Sequence, residues 1–262
     1  MKFRNILIVL LLILPFYSNA GFEVLGSLVY KHVIQPGEKY SAEIKVHNTG
    51  DTDQEIRIYQ RDYLFNHQGA SFYDEPVSHA RSNSQWIEYS PKTLILKGRE
   101  TQSIQFEVTA PASDTLKGTY WSILMVEGVS QIDPNAKGQL NISTSIRYAV
   151  QVVTNIGQTG TGELVFLEPE LIAEGEKTTL DVVLVNTGER AISPDVSAEL
   201  FDIETGTSVG VIKAAKNGLY PTTSSHFRFP LDGIKKGRTY QALIVADGSG
   251  EDVFGLEYTF SL

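Results

Sequence analysis

The feature that most restricts the fold of this chain is a pattern that occurs twice, once in each half. In the first half, a Lys-Gly-Thr-Tyr turn at residues 117–120 precedes a largely apolar run at residues 121–126. In the second half, Lys-Gly-Arg-Thr-Tyr at residues 236–240 precedes a similar run at residues 242–246. A short apolar run that follows a glycine turn is typical of a buried β-strand.

Two further landmarks repeat in the same order. Gly-Glu-Lys at residues 37–39 begins eleven residues before Asn-Thr-Gly at residues 48–50, and Gly-Glu-Lys at residues 175–177 begins eleven residues before Asn-Thr-Gly at residues 186–188. Asn and Gly tolerate positive φ, so each Asn-Thr-Gly predicts a hairpin turn. The repeat indicates two copies of one structural unit.

A glycine turn, a tyrosine and then a buried strand are typical of strand F of an immunoglobulin-like sandwich, where the tyrosine hydroxyl bonds back to the turn. We therefore predict structural tyrosine corners at Tyr120 and Tyr240. Alternating segments such as residues 40–46 and 102–108 predict half-buried strands, and helix signals are scarce. The predicted fold class is all-β, with two tandem immunoglobulin-like β-sandwich domains that follow a cleaved signal peptide.

The domain boundaries follow from composition. We predict a signal peptide at residues 1–20, a first domain at residues 21–156, a linker at residues 157–162 and a second domain at residues 163–262. The glycine-rich segment around the linker predicts a flexible hinge. Residues 60–90 are less regular, and we expect a long connection with one short strand pair, at residues 63–65 and 70–73.

The N-terminus has the pattern of an export signal. Lys2 and Arg4 precede an apolar run at residues 6–16 and a small-residue cleavage site at residues 18–20. That run is shorter than the roughly 20 residues that span a bilayer, and no later run is long enough, so we expect no direct membrane insertion. The predicted location is the periplasm, with the cell surface or secretion as the alternative.

Charge and residue types exclude several functions. The net charge is −9, or 20 − 31 = −11 without the signal, which argues against nucleic acid and anionic membranes as partners. The chain has no cysteine, no histidine pair with metal-ligand spacing, no nucleophile elbow and no phosphate loop. We therefore expect a protein that is not an enzyme and needs no cofactor or metal.

The segment at residues 140–153 alternates over an unusual length. As an edge strand, it could lend its backbone and apolar row to another chain by β-augmentation, or to a second copy in a self-capping homodimer. As an ordinary strand G, it would keep that row in its own core. Both interpretations stay open at this point.

The first domain resembles the periplasmic pilus-assembly chaperones of the chaperone–usher pathway. The resemblance rests on residues 86–108, with a Trp-Ile pair, a proline and a Gly98 turn into an alternating strand. It also rests on residues 116–126 and 140–150, which fall where the family has strands F and G. The resemblance implies a chaperone whose partners are secreted fibre subunits, with an outer-membrane usher as a further partner.

In that family, an N-terminal strand and strand G each give a basic residue to the cleft between the domains, where they hold the terminal carboxylate of the subunit. The resemblance implies Lys31 and Arg147 as these anchors. It also implies a donor strand that completes the subunit's sandwich, with the residues Leu140, Ile142, Thr144 and Ile146.

A second resemblance leads to the alternative function. Residues 36–50 and 111–128 are similar to the peptidoglycan-binding immunoglobulin-like domain of WxL-interacting cell-wall proteins. This likeness implies a non-catalytic envelope or cell-surface protein with a binding or structural role. A chaperone needs Leu140 and Ile142 available to a client, whereas a structural module keeps them inside.

Overall fold

The computed structural model describes residues 21–129 and 145–262. Within these ranges the first half holds the strands β1 (Glu23–Leu25), β2 (Val29–Ile34), β3 (Lys39–His47), β4 (Gln54–Phe65), β5 (Ser71–Asp74), β6 (Ile87–Ser90), β7 (Thr93–Leu96), β8 (Thr101–Thr109), β9 (Gly118–Gly128) and β10 (Arg147–Ile156), and a 3₁₀ turn, Ser84–Trp86. The second half holds β11 (Leu164–Phe166), β12 (Glu170–Glu174), β13 (Lys177–Asn186), β14 (Asp195–Asp202), β15 (Thr207–Lys213), β16 (Ser224–Pro230), β17 (Thr239–Asp247) and β18 (Val253–Ser261).

The first half forms a sandwich of two sheets. One sheet has the order β1-β3-β8-β6, and the other has the order β2-β10-β9-β4-β5 with β7 also paired to β4. β2 runs parallel to β10, and the other neighbours are antiparallel. The core lies between the sheets and includes the buried residues Ile44, Ile104, Phe106, Ile56, Leu124, Val126 and Val150.

The second half forms a second sandwich with its own core. β11, β12 and β16 pair with β13 in one sheet, and the other has the order β15-β14-β17-β18. Its core includes the buried residues Leu180, Val182, Leu200, Phe227, Phe229, Tyr240 and Ile244. The prediction of an all-β fold with two tandem immunoglobulin-like sandwiches is confirmed.

A hairpin of the first sandwich reaches the second. β5 pairs with the end of β4 from Asp62 to Phe65, close to the strand pair that the sequence predicts. At the tip of the hairpin, a ring nitrogen of His67 lies 2.9 Å from the hydroxyl oxygen of Ser224. The His67 carbonyl also accepts a 2.6 Å hydrogen bond from His226. The irregular region after β4 therefore has a structural role between the sandwiches.

The segment between the sandwiches is tied to both of them. The Gly157 N–H donates to the Ile34 carbonyl at 2.8 Å, and the Glu189 N–H donates to the Thr161 carbonyl at 2.8 Å. In addition, the hydroxyl of Thr159 accepts a 3.1 Å bond from the Gly118 N–H. Because its polar groups bond to neighbours on either side, this segment differs from the freely flexible hinge that its composition predicts.

The two predicted tyrosine corners differ. Tyr240 is 1% exposed, and its hydroxyl donates a 2.8 Å bond to the Lys235 carbonyl, which is the predicted geometry. The Tyr120 ring packs against Trp86, with 4.7 Å between ring centroids, and no hydrogen bond in the described part of the chain involves its hydroxyl. The turn before Tyr120 bonds instead to the second sandwich, because the Thr119 N–H donates to the Glu189 carbonyl at 2.8 Å.

Candidate functional site

The outer edge of β10 is covered along only part of its length. β9 pairs with β10 from Arg147 onward, whereas β2 pairs only from Gln151 onward. The Gln151 N–H donates to the Leu28 carbonyl at 2.8 Å, so alternate residues of β10 direct their backbone groups to the β2 side. The N–H and C=O groups of Arg147 and Ala149 point the same way and have no partner among the described residues.

A cleft between the sandwiches begins where this open edge ends. One of its cavities has a volume of about 480 Å³. The first sandwich contributes Val29, Lys31 and Gln151, and the second contributes Ser193 and Tyr220. Gln151 thus belongs both to the covered part of β10 and to the wall of the cleft.

Lys31 is a cation of this cleft that has no partner. It lies on β2, opposite Val153 of β10 in the parallel register. The side chain is exposed and makes no hydrogen bond or ion pair with any described residue. Lys31 lines the 480 Å³ cavity and two neighbouring cavities of about 600 and 260 Å³. It is therefore available to an anionic group that enters the cleft.

The structure does not bring Arg147 into the same cleft. Arg147 stands six residues before Val153 on β10, which at about 3.3 Å per residue places it roughly 20 Å along the strand from Lys31. Its Nε atom lies 2.6 Å from a carboxylate oxygen of Glu127. The expected joint site of Lys31 and Arg147 is thus corrected: β10 carries Arg147 away from the cleft, and Glu127 engages its guanidinium.

Glu127 forms a structural ion-pair cluster on the outer face of the sheet. The side chain is almost fully buried, and Arg57 Nη2 lies 2.8 Å from its second oxygen. Burial alone would raise the pKa of Glu127, but hydrogen bonds from Arg57, Arg147 and Tyr59 lower that pKa to about 2. The cluster fixes Arg147, and the one carboxylate that it shares with Arg57 offsets only part of its positive charge.

The predicted donor residues fall into two groups. Leu140, Ile142 and Thr144 lie outside the described residues. Ile146 is half-buried, packs against the core of the first sandwich, and its carbonyl accepts a 3.1 Å bond from the Gly128 N–H. The Ile146 side chain is therefore used within the chain, and what β10 offers outward near this point is its backbone.

Tyr220 is a site residue that the sequence analysis missed. Its ring stacks on Trp121 of β9, with 4.7 Å between centroids and 9° between planes. Its hydroxyl bonds to the Gln151 side chain. Burial, helped by the nearby Tyr63, raises the pKa of Tyr220 above its usual range. The only local signal is an aromatic residue inside a turn, next to Pro221.

A close backbone approach joins the sandwiches on the linker side. Gly118 has φ +74°, and a Cβ at this position would lie 2.1 Å from the Glu189 carbonyl oxygen. The Glu189 carboxylate in turn lies 2.9 Å from Lys117 Nζ. Only glycine fits this contact, since a side chain would require both a strained φ and a shift of the second sandwich.

Residues 21–129 and 145–262 contain neither a candidate metal site nor a membrane-spanning helix. These residues contain no group of three or more His, Asp or Glu side chains that could hold a metal ion. They also contain no helix with the length and apolar character that crossing a membrane requires.

Comparisons with known proteins give likeness at the level of structure only. No family model and no curated protein matches the sequence. Among solved structures, the similar chains include several chaperones. They include the class 5 fimbriae chaperone CfaA, with 14% identity, 91% of this chain and 98% of that chain covered, and a TM-score of 0.47.

Two others have comparable scores. The E. coli chaperone DraB has 13% identity, 92% and 98% coverage and a TM-score of 0.43. The Salmonella enterica SafB chaperone, solved with the SafA pilin, has 10% identity, 92% and 96% coverage and a TM-score of 0.44. At these values the likeness adds no argument about the site. Fold and site together define a two-domain immunoglobulin-like protein with an open strand edge beside an interdomain cleft.

Proposed function

We propose that this protein is a non-catalytic periplasmic chaperone for secreted fibre subunits. It holds a subunit by adding the edge of β10 to the subunit's incomplete sheet, and an outer-membrane usher receives the subunit afterwards. The observation that carries the proposal is the open edge at Arg147 and Ala149, which lies next to the cleft that contains an unpaired Lys31.

The open edge supplies the affinity in this mechanism. A client strand that pairs with Arg147 and Ala149 would satisfy their N–H and C=O groups, as in other cases of β-augmentation. The segment at residues 140–144 would extend the same strand with its apolar row. β2 already occupies the edge from Gln151 onward, so a client strand can pair only with the residues of β10 before it.

The cleft supplies a fixed end point. Lys31 offers an ammonium group to the terminal carboxylate of the client, and a charge-assisted bond of this kind contributes about 1.5–3 kcal/mol when it is shielded from water. Capture of this chain end beside an open edge would set where the client strand ends.

One observation favours the alternative function. Ile146 and Tyr148 pack against the first core, and the Tyr148 ring contacts Phe22 with 5.3 Å between centroids. A strand whose described side chains are used internally also fits a structural envelope or cell-surface protein. The two functions differ in whether another chain pairs with the β10 edge.

A pull-down from the native envelope fraction tests the proposal. Ala149→Pro removes the N–H that points to the open edge and leaves the β9 ladder intact, because that N–H faces away from β9. We expect wild-type protein to recover a small β-rich secreted chain, and the Ala149→Pro variant to lose it. Lys31→Ala should weaken the recovery about tenfold or more.

A matched control is available in the second sandwich. β18 is also an edge strand, and the N–H groups of successive residues on a strand point to opposite sides. The Leu262 N–H points toward β17, so the N–H of Glu257, five residues earlier, faces away from β17. Glu257→Pro should therefore keep the partner. Equal recovery by Ala149→Pro and wild type, or recovery of cell-wall material alone, would remove the chaperone function and support the structural one.

The same edge also makes a self-capping homodimer part of the proposal. Two copies that pair through β10 would each cover Arg147 and Ala149. We expect a concentration-dependent dimer by size-exclusion chromatography, and its loss in the Ala149→Pro variant. A wild-type protein that stays monomeric at high concentration would contradict the dimer and leave the client interaction unaffected.

A further inference from the structure

We propose that the second cation of the carboxylate site is Arg190, from the second sandwich, and that it acts together with Lys31 in a cavity of about 260 Å³ in the cleft. This inference rests on the proposed function, since it names the residues that would hold the client's chain end. It differs from the expectation for Arg147 in one respect: the two cations come from different sandwiches.

The cavity itself is the first step of the argument. It measures about 260 Å³, and both Lys31 and Arg190 line it. The other lining residues are Val33, Gly118, Asn155, Gly157, Gln158, Thr159 and Ala191. None of them is acidic, so this is a small cavity with two positive charges and amide side chains but no carboxylate in its wall. A cavity of this composition suits a single carboxylate group.

The position of Arg190 is fixed by groups on its far side. Asp252 lies at 2.9 and 2.6 Å through its two carboxylate oxygens, and both contacts are made by Nη2 of Arg190. The Arg190 backbone is held as well, because its N–H donates to the Thr161 carbonyl at 3.1 Å. The guanidinium is therefore oriented before any ligand arrives, which lowers the entropic cost of binding.

Donor groups remain after these contacts. Nη1 of Arg190 makes no hydrogen bond with any described residue, and Lys31 has no partner in the same part of the chain. Asn155 uses its side-chain oxygen to accept a 2.7 Å bond from the Thr119 hydroxyl, so its amide N–H₂ is left for another acceptor. The free donors belong to three residues that line one cavity.

The acidic residues nearby do not occupy the site. Asp252 and Glu251 line the neighbouring 600 Å³ cavity, not the 260 Å³ cavity. Asp252 compensates part of the Arg190 charge from behind, and Lys31 stays uncompensated. A carboxylate in the small cavity would therefore bridge β2 of the first sandwich to the turn after β13 of the second.

A peptide titration tests this assignment. The probe is N-acetyl-trialanine with a free carboxylate, compared with the same peptide as its C-terminal amide, and NMR follows the side-chain signals of Lys31 and Arg190. We expect the free acid to shift both signals and the amide to shift neither. Lys31→Gln and Arg190→Gln should each weaken binding of the acid about tenfold or more. Lys216→Gln removes an exposed cation of the second sandwich and should change nothing.

Each of the following results would overturn the assignment of Arg190. Wild-type affinity in Arg190→Gln with loss in Lys31→Gln would remove Arg190 and leave the Lys31 anchor in place. Loss in an Arg147→Gln variant, with Arg190→Gln unaffected, would return the role to Arg147. Should Arg190→Gln unfold, the wild-type titration still decides: a free acid that shifts the Lys31 signals and leaves the Arg190 signals unchanged would contradict the proposal. The pull-down with Ala149→Pro measures client binding at the β10 edge separately. Failure of the carboxylate site therefore leaves the edge testable, and failure of the edge leaves the carboxylate site testable.

Discussion

β9 and β17 are the two copies of the same strand, and the two sandwiches bury them differently. Every residue of β9 except Tyr120 is buried, whereas β17 alternates between buried positions and positions that are exposed or half-buried. The inward-facing residues pack into the core of their sandwich in both copies. The difference lies on the outer face, which in β17 meets solvent and in β9 meets other parts of the molecule.

Two contacts cover the outer face of β9. Trp121 lies between His79 and Tyr220, and Glu127 lies under Arg57 and Arg147. The corresponding positions in β17, six residues apart as in β9, are Gln241 and Asp247. The comparison teaches that the outer face of β9 is covered in two ways: near the cleft by Tyr220 of the second sandwich, and farther along the strand by Arg57 and Arg147 of the first.

The largest expected effect is at Trp121. Trp121→Ala removes a ring that is 1% exposed and packed on both sides, and should lower the free energy of unfolding by about 3–5 kcal/mol. The matched variant Gln241→Ala should cost about 0.5 kcal/mol or less. Urea denaturation measures both. Similar losses in the two variants would show that the second sandwich does not cover β9 in solution.

The next effect is at the glycines of the two turns. Gly118 and Gly237 have φ +74° and +77°, but a Cβ at Gly237 meets nothing within 4 Å. Gly237→Ala should therefore cost only the backbone strain of about 1–2 kcal/mol. Gly118→Ala adds a clash with the Glu189 carbonyl and should cost about 3 kcal/mol.

Small-angle scattering provides the second readout for this pair. Gly118→Ala should change the distance distribution between the sandwiches, and Gly237→Ala should leave it as in the wild type. Identical curves for the two variants would mean that the Gly118 contact does not set the arrangement of the sandwiches.

A smaller effect should appear in the pH dependence at Glu127. The folded-state pKa of about 2 lies below the ordinary value of 4.5, so the carboxylate stabilises the fold above pH 4.5 and this contribution is lost as the pH falls toward 2. Arg57 and Arg147 are half-exposed, and solvent weakens their attraction to the carboxylate. We therefore expect Glu127→Gln to lower the free energy of unfolding by about 2 kcal/mol at pH 7. The difference in the free energy of unfolding between this variant and the wild type should disappear near pH 2.

Denaturation at a series of pH values measures this gap. Asp247→Asn, at the matching position of β17, should change stability by less than about 0.5 kcal/mol at pH 7. A gap for Glu127→Gln that stays constant from pH 7 to pH 2 would mean that the ion-pair cluster is not the cause.

The smallest effect compares the two tyrosine hydroxyls. Tyr240→Phe removes a buried 2.8 Å hydrogen bond and leaves the Lys235 carbonyl without it, which should cost about 1 kcal/mol. Tyr120→Phe removes a hydroxyl that bonds to no described residue and should be close to neutral. Thermal denaturation of the two variants measures the difference, and equal costs would show that Tyr120 also forms a tyrosine corner.

Much of each sandwich could be predicted because its signals are local. The Asn-Thr-Gly turns illustrate this: in both copies the asparagine side-chain oxygen accepts a 2.9 Å bond from the glycine N–H two residues on. Identical tripeptides therefore give identical turns. The predicted hairpins are wrong, however, because β3 and β4, and likewise β13 and β14, lie in different sheets. Alternation and the glycine-tyrosine pattern locate the strands for the same reason.

The site depends on how the two sandwiches meet, and no local pattern encodes that. Tyr220 and Glu189 look like ordinary turn residues until their partners Trp121 and Gly118 are known. The family resemblance implies Arg147 from its position along strand G, but spacing along a strand does not reveal which end lies at the cleft. The register of β2 against β10 supplies that information.

Amide hydrogen exchange along β10 tests the central claim most directly. In the free protein, we predict fast exchange at Arg147 and Ala149, whose N–H groups face the open edge, and slow exchange at Tyr148 and Val150, whose N–H groups face β9. Binding of the client chain recovered in the pull-down should slow Arg147 and Ala149 as well. Protection of all four amides in the free monomer, or unchanged fast exchange in the complex, would contradict donation of this edge.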